Sequence, residues 1–66
     1  MKILINGETK ELSSELNLSD LLKYFSLPLE RVAIELNKKV VRKKDWEIVK
    51  IVEGDKLEVI HFVGGG

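Results

Sequence analysis

Apolar and polar positions alternate from the start of the chain, where Ile3 and Ile5 lie between Lys2, Leu4 and Asn6 in the period-two pattern of a strand. Asn6-Gly7 follows, a pair that tolerates the positive φ of a two-residue hairpin turn. The return strand, Glu8 to Leu12, is mostly polar and suits a sheet edge with one solvated face. Ser13-Ser14-Glu15 then reads as loop. Beyond it the period changes: Leu18, Leu21, Leu22 and Phe25 fall at i, i+3, i+4 and i+7, which puts four large apolar groups on one helix face. Asn17 is placed to accept from an orphan N–H of the first turn, and Asp20 stands three residues on, where a capping carboxylate belongs. Pro28 has no N–H to donate and biases Leu27 away from helical angles, so the helix is expected to end near Ser26.

Alternation returns with Val32, Ile34 and Leu36 against Ala33 and Glu35, a third strand that ends at Asn37-Lys38-Lys39. Val40-Val41 starts a short return strand. From Lys43 to Val52 no single period fits Trp46, Ile48 and Ile51. A loop or one helical turn around Asp45-Trp46 is expected there, with Trp46 covering one end of the core. Gly54-Asp55 is a turn signal, and Lys56 to Val63 forms the last strand, apolar at most positions and therefore expected in the middle of its sheet. This order predicts an α+β fold of the ubiquitin-like β-grasp type: a mixed sheet of four to five strands, one main helix packed on one face, and the final strand beside the first. The β-grasp domain covers residues 1–63, and residues 64–66 form a flexible C-terminal glycine tail.

Alternation also fixes what the helix leaves uncovered. With Ile3, Ile5, Val32, Ile34, Leu36, Leu57 and Val59 turned to the helix, Leu4, Ala33, Glu35, Ile60 and Phe62 must point the other way. Leu4, Ile60 and Phe62 are then expected to form an apolar patch running through Val63 toward the tail, a surface of the kind that meets a protein partner.

Composition narrows the function classes. Sixty-six residues make one domain, and a chain of that size buries only about 60% of its unfolded surface, so an enclosed active-site cavity is not expected. Eleven basic and eleven acidic residues cancel to a formal charge of zero, which argues against nucleic acid or an anionic membrane as partner. Without cysteine there is no thiolate metal site and no thiol nucleophile, and nothing demands an oxidising compartment. No signal-peptide core and no spanning apolar stretch are visible, so a cytoplasmic protein, monomeric when free, is expected.

Little else suggests intrinsic chemistry. His61 has no Ser, Cys or acidic partner near it in sequence and reads as structural. Glu30, Asp45, Glu53 and Asp55 lie at turns, the usual solvated place for carboxylates, and no metal site is expected. Lys38, Lys39, Arg42, Lys43 and Lys44 form a basic cluster that reads as a solvated surface, with docking to an acidic enzyme as the lesser alternative. The tail stands out instead. Gly64, Gly65 and Gly66 lack Cβ atoms and can thread a channel only as wide as a backbone. Three extended residues reach about 10 Å. The Gly66 carboxylate is thus the candidate reactive group, although a frayed terminus or a cloning remnant has the same appearance.

These residues together resemble a known family, the ThiS sulfur carriers of thiazole formation in thiamine biosynthesis. The likeness runs through Asn6-Gly7, Asp20-Leu21-Leu22, Val32-Ala33-Ile34-Glu35-Leu36-Asn37, Val40-Val41, Trp46, Gly54-Asp55 and Ile60-His61-Phe62-Val63-Gly64-Gly65-Gly66. It departs at Arg42-Lys43, where the family often has proline followed by arginine. The resemblance implies a carrier rather than an enzyme, with no cofactor of its own. An adenylyltransferase of the ubiquitin-activating type would activate Gly66 with ATP and Mg²⁺. A sulfur donor such as a cysteine desulfurase would then supply the sulfur of a C-terminal thiocarboxylate. Thiazole synthase would receive it, with Gly64 and Gly65 threading the tail and Leu4, Ile60, Phe62 and Val63 docking. Two alternatives share the tail: the small subunit of molybdopterin synthase, with the same chemistry, and a ubiquitin-like modifier joined to lysines. A plain interaction module is a third.

Overall fold

A computed structural model describes residues 1–62. Its elements are β1 (Lys2–Ile5), β2 (Glu8–Glu11), α1 (Leu18–Tyr24), β3 (Val32–Leu36), β4 (Lys39–Val41), a 3₁₀ turn (Lys43–Asp45) and β5 (Lys56–His61). The five strands form one mixed sheet in the order β2-β1-β5-β3-β4. Only β1 and β5 run parallel; β1–β2, β3–β4 and β3–β5 are antiparallel. This is the expected β-grasp arrangement, with the last strand central and beside the first.

Both hairpins turn through two left-handed residues. Asn6 (φ 50°) and Gly7 (φ 81°) join β1 to β2, and Asn37 (φ 51°) and Lys38 (φ 71°) join β3 to β4. Two consecutive positive φ values match the right-handed strand twist. Asn6-Gly7 announces such a turn in sequence, whereas Lys38 occupies a position that glycine usually fills.

Helix α1 is held at both ends by bonds its own ladder cannot make. Asn17 Oδ1 accepts from the Asp20 N–H at 2.7 Å. The Leu18 and Ser19 N–H groups donate to the carbonyls of Val49 and Trp46 at 2.8 and 3.0 Å. Four N–H groups at a helix start lack intrahelical partners, and the 46–51 segment is tied down by satisfying two of them. At the other end Ser26 turns left-handed (φ 53°). Its N–H donates to the Lys23 carbonyl and that of Leu27 to the Leu22 carbonyl, at 3.0 and 2.8 Å. That pair of bonds is a Schellman turn, so the chain has already left the helix two residues before Pro28.

The core lies between α1 and one sheet face. Leu18, Leu21 and Leu22 pack on Ile3, Ile5, Ile34 and Leu57, closed at one side by Leu12, Ile51 and Trp46; Phe25, Val32, Leu36 and Val59 are half-buried around them. Trp46 comes from the stretch without a readable period. It caps the 3₁₀ turn, is buried, and its Nε1–H donates to the Val41 carbonyl at 3.0 Å. Of the loop or single helical turn expected around Asp45-Trp46, the structure has the turn, a 3₁₀ one over Lys43–Asp45.

Asp55 differs from expectation. It is only 7% exposed, because its carboxylate closes the turn before β5: Oδ1 accepts from Asn37 Nδ2 at 3.0 Å and Oδ2 from the Val52 N–H at 2.8 Å. Asn37 Oδ1 in turn accepts from the Lys56 N–H at 3.0 Å. A buried carboxylate survives only when hydrogen-bonded, and these bonds tie the β3–β4 turn to the entry of β5.

Candidate functional site

Strand β5 leads directly to the C-terminal residues, and its hydrogen bonding differs on its two sides. The Asn37 N–H donates to the Lys56 carbonyl and the Phe62 N–H to the Arg31 carbonyl, each at 2.8 Å. In an antiparallel pair such bonding recurs at every second residue, so the even-numbered residues of β5 face β3. The odd-numbered ones face β1. Asp55 and Leu57 carbonyls accept from the Leu4 and Asn6 N–H groups, each at 2.9 Å. At Val59 the backbone of β1 has already turned away, and a side chain replaces it. Asn6 Oδ1 accepts from the Val59 N–H at 2.7 Å while Asn6 Nδ2 donates to the Val59 carbonyl at 3.3 Å. Asn6 therefore turns the hairpin and clasps the strand that carries the tail.

On the sheet face away from the helix, Ile60 lies opposite Ala33 and Glu58 opposite Glu35. Ile60 is 44% exposed and Phe62 55% exposed. Two large apolar side chains thus stand in water just before the C-terminal residues, where a patch was expected. Leu4 is on the same face but half-buried, flanked across the strands by Thr9 and Lys56, whose side chains narrow its exposure. It belongs to the floor of the patch rather than to its exposed part. Among the described residues neither Trp46 nor a loop buries Ile60 and Phe62, and Trp46 is taken up by the core on the opposite face. Val63, Gly64, Gly65 and Gly66 lie outside the described residues, and so does the expected boundary between domain and tail.

No other group among the described residues assembles chemistry. His61 is exposed at the end of β5 and makes no side-chain hydrogen bond or ion pair among the described residues. No set of three or more metal-ligating side chains converges among the described residues. The basic cluster is fully on the surface; within it Lys44 pairs with Asp45 at 3.3 Å and Lys43 Nζ stands 5.9 Å from the centre of the Trp46 ring. A surface groove of about 610 Å³ lies beside β4 between Val40, Val41 and Ile48 and is lined by the carboxylate of Asp45. No helix among the described residues is long and apolar enough to cross a membrane.

Residues 3–66 match the model of the ThiS family. The chain belongs to that family. Its fold agrees with that of a crystal structure of the thiamine biosynthesis protein ThiS from Geobacter metallireducens, at a TM-score of 0.88 and 29% identity, with both chains fully covered. In sequence it is 37% identical over 49 residues to the sulfur carrier protein ThiS of Bacillus subtilis, covering 74% of each chain. All 66 residues also match, at 38% identity, a thiazole synthase of Paramagnetospirillum magneticum. The chain spans only 20% of the length of that relative.

Proposed function

We propose that this chain is a sulfur carrier for thiazole formation in thiamine biosynthesis, with the Gly66 carboxylate as the group that carries the sulfur. One observation supports the thiazole branch above the others: a thiazole synthase contains, within its own longer chain, a stretch similar to the whole of this one. The similarity to a sulfur carrier protein supports the carrier role. The exposed Ile60 and Phe62 beside the clasped end of β5 supply a surface by which an enzyme grips the domain while taking its tail.

The chemistry follows from the carboxylate's weakness as an electrophile. Its charge is delocalised and its leaving group would be oxide, so a partner must activate it. An adenylyltransferase joins the Gly66 carboxylate to the α-phosphate of ATP, Mg²⁺ balancing the phosphate charge, and pyrophosphate leaves. The terminal sulfur of a persulfide, charged by a donor such as a cysteine desulfurase, then attacks the acyl carbon and displaces AMP. This gives an acyl disulfide. A thiol attacks the partner's sulfur, forming a disulfide there and releasing the thiocarboxylate on Gly66. Thiazole synthase accepts the tail, Gly64 and Gly65 permitting close passage, and takes the sulfur. In this scheme the chain is a co-substrate and catalyses no step.

Intact-mass spectrometry tests it. Incubation with the adenylating partner, ATP and a persulfide donor is expected to shift the mass by one oxygen-to-sulfur exchange, lost in a variant lacking Gly65 and Gly66. No shift in the full chain, with unchanged thiazole formation from the truncated one, would refute the proposal.

A further inference from the structure

Asn6 ends the β1 side of β5 at Val59, but β5 continues. His61 is the next residue whose N–H and C=O point to that side, and no β1 residue stands opposite it. Among the described residues nothing hydrogen-bonds its backbone from there, and the residue is exposed. The sheet thus has a short third edge, opened where β1 turns off.

This edge lacks the features that guard the other two. An open strand edge is a template for another chain, and proteins usually blunt it with charge, proline or brevity. Strand β2 carries Glu8, Lys10 and Glu11, and β4 has three residues beginning with Lys39. The free end of β5 reads Ile60-His61-Phe62, without acid, lysine or proline, and its flanking side chains are the exposed apolar pair.

We propose that the free edge of β5 at His61 is a strand-addition site, where an extended segment of thiazole synthase hydrogen-bonds the His61 N–H and C=O and lays apolar side chains against Ile60 and Phe62. Main-chain pairing of this kind gives affinity, and side chains at alternate positions give specificity. It would hold the chain extended as it enters the enzyme, with Asn6 fixing where the added strand must stop. The inference rests on the sulfur-carrier reading for the identity of the partner. A second copy of the chain is a poorer occupant, since one donor and one acceptor make too small an edge for a stable pair unless the partner also takes the C-terminal residues, as the enzyme does in the sulfur-carrier reading.

The test removes the backbone donor. In His61→Pro the lost N–H serves no bond within the sheet, and proline is accepted where the N–H faces outward; Glu11→Pro, at the outward-facing edge of β2, is the matched control. Binding to thiazole synthase is measured by calorimetry, with circular dichroism confirming each fold. His61→Pro is expected to weaken binding at least tenfold, since it removes a bond and places a ring carbon on the pairing edge, and Glu11→Pro to leave it within twofold. If His61→Pro does not fold, an ester in place of the His61 amide, made by protein ligation, is expected to weaken binding about two- to tenfold. The His61 amide should also exchange at least tenfold more slowly in the complex. Equal binding by wild type and the His61 variants, or an unprotected His61 amide in the complex, overturns strand addition alone, as does self-association by the same edge. Failure of the wild-type chain to bind thiazole synthase overturns the carrier reading, and this inference with it.

Discussion

Replacing Asn6 by glycine separates its two tasks, because glycine keeps the left-handed turn and removes only the clasp on Val59. The backbone at φ 50° suits glycine at least as well as asparagine, and the steric relief is offset by the greater freedom of glycine in the unfolded chain. What remains is the loss of two hydrogen bonds, 2.7 and 3.3 Å long. At about 0.5–1.5 kcal/mol each, with the longer bond at the low end, the change should destabilise the fold by about 1.5 kcal/mol. In a domain this small that lowers Tm by about 6–12 °C. Thermal unfolding by circular dichroism gives the global cost, and amide exchange gives its location: the Val59 N–H loses its acceptor and should exchange faster, while the Ile34 N–H, deep in β3, follows global stability alone. A Tm unchanged within about 2 °C, or a Val59 amide as protected as before, would refute the view that Asn6 anchors the outer half of β5.

Lys38→Gly should stabilise the fold by about 0.5–1 kcal/mol, since the left-handed cost of a side chain at φ 71° outweighs the added unfolded-state entropy; urea midpoints check this. Asn37→Gly, one residue earlier, should destabilise it instead, because the Asn37 side chain bonds both Asp55 and the Lys56 N–H. Asp55→Asn should cost about 2 kcal/mol by chemical denaturation, since an amide cannot accept from both Asn37 and the Val52 N–H and turns a donor toward one of them. Trp46→Phe should cost about 2 kcal/mol in the same assay, through the lost Nε1–H bond to the Val41 carbonyl and the volume lost from the core.

Local periodicity carried most of the fold. Leu18, Leu21, Leu22 and the alternating Ile3, Ile5 and Ile34 each state their face within a few residues, and the structure buries all six. What escaped the sequence was held by distant partners. Asp55 looks like a solvated turn residue until Asn37, eighteen positions away, is seen bonded to it. Segment 46–51 has no period because its place is set by the start of α1, through the Leu18 and Ser19 N–H groups. Asn6 is readable as a turn residue, but its bond to Val59 spans fifty-three positions. The exposed Ile60 and Phe62 were legible from alternation and a single helix; the half-burial of Leu4 was not, because it depends on Thr9 and Lys56 across two strands.

A small chain has one helix to spend on a five-stranded sheet, so one face stays open whatever the sequence. The choice lies in what is placed there. Toward β3 and β4 that face carries Glu35 opposite Glu58, a like-charge pair that disfavours apolar association and costs some stability. Toward the C-terminus it carries Ile60 and Phe62 beside an unguarded backbone edge. Val40, beside Glu35, is the exposed apolar side chain at the β4 end, and Ile60 and Phe62 stand together at the end from which the glycines continue. The Asn6 clasp lies between this end and the paired body of the sheet, so a partner can pair with the strand beyond Val59 without competing for the β1–β5 ladder that holds the core together.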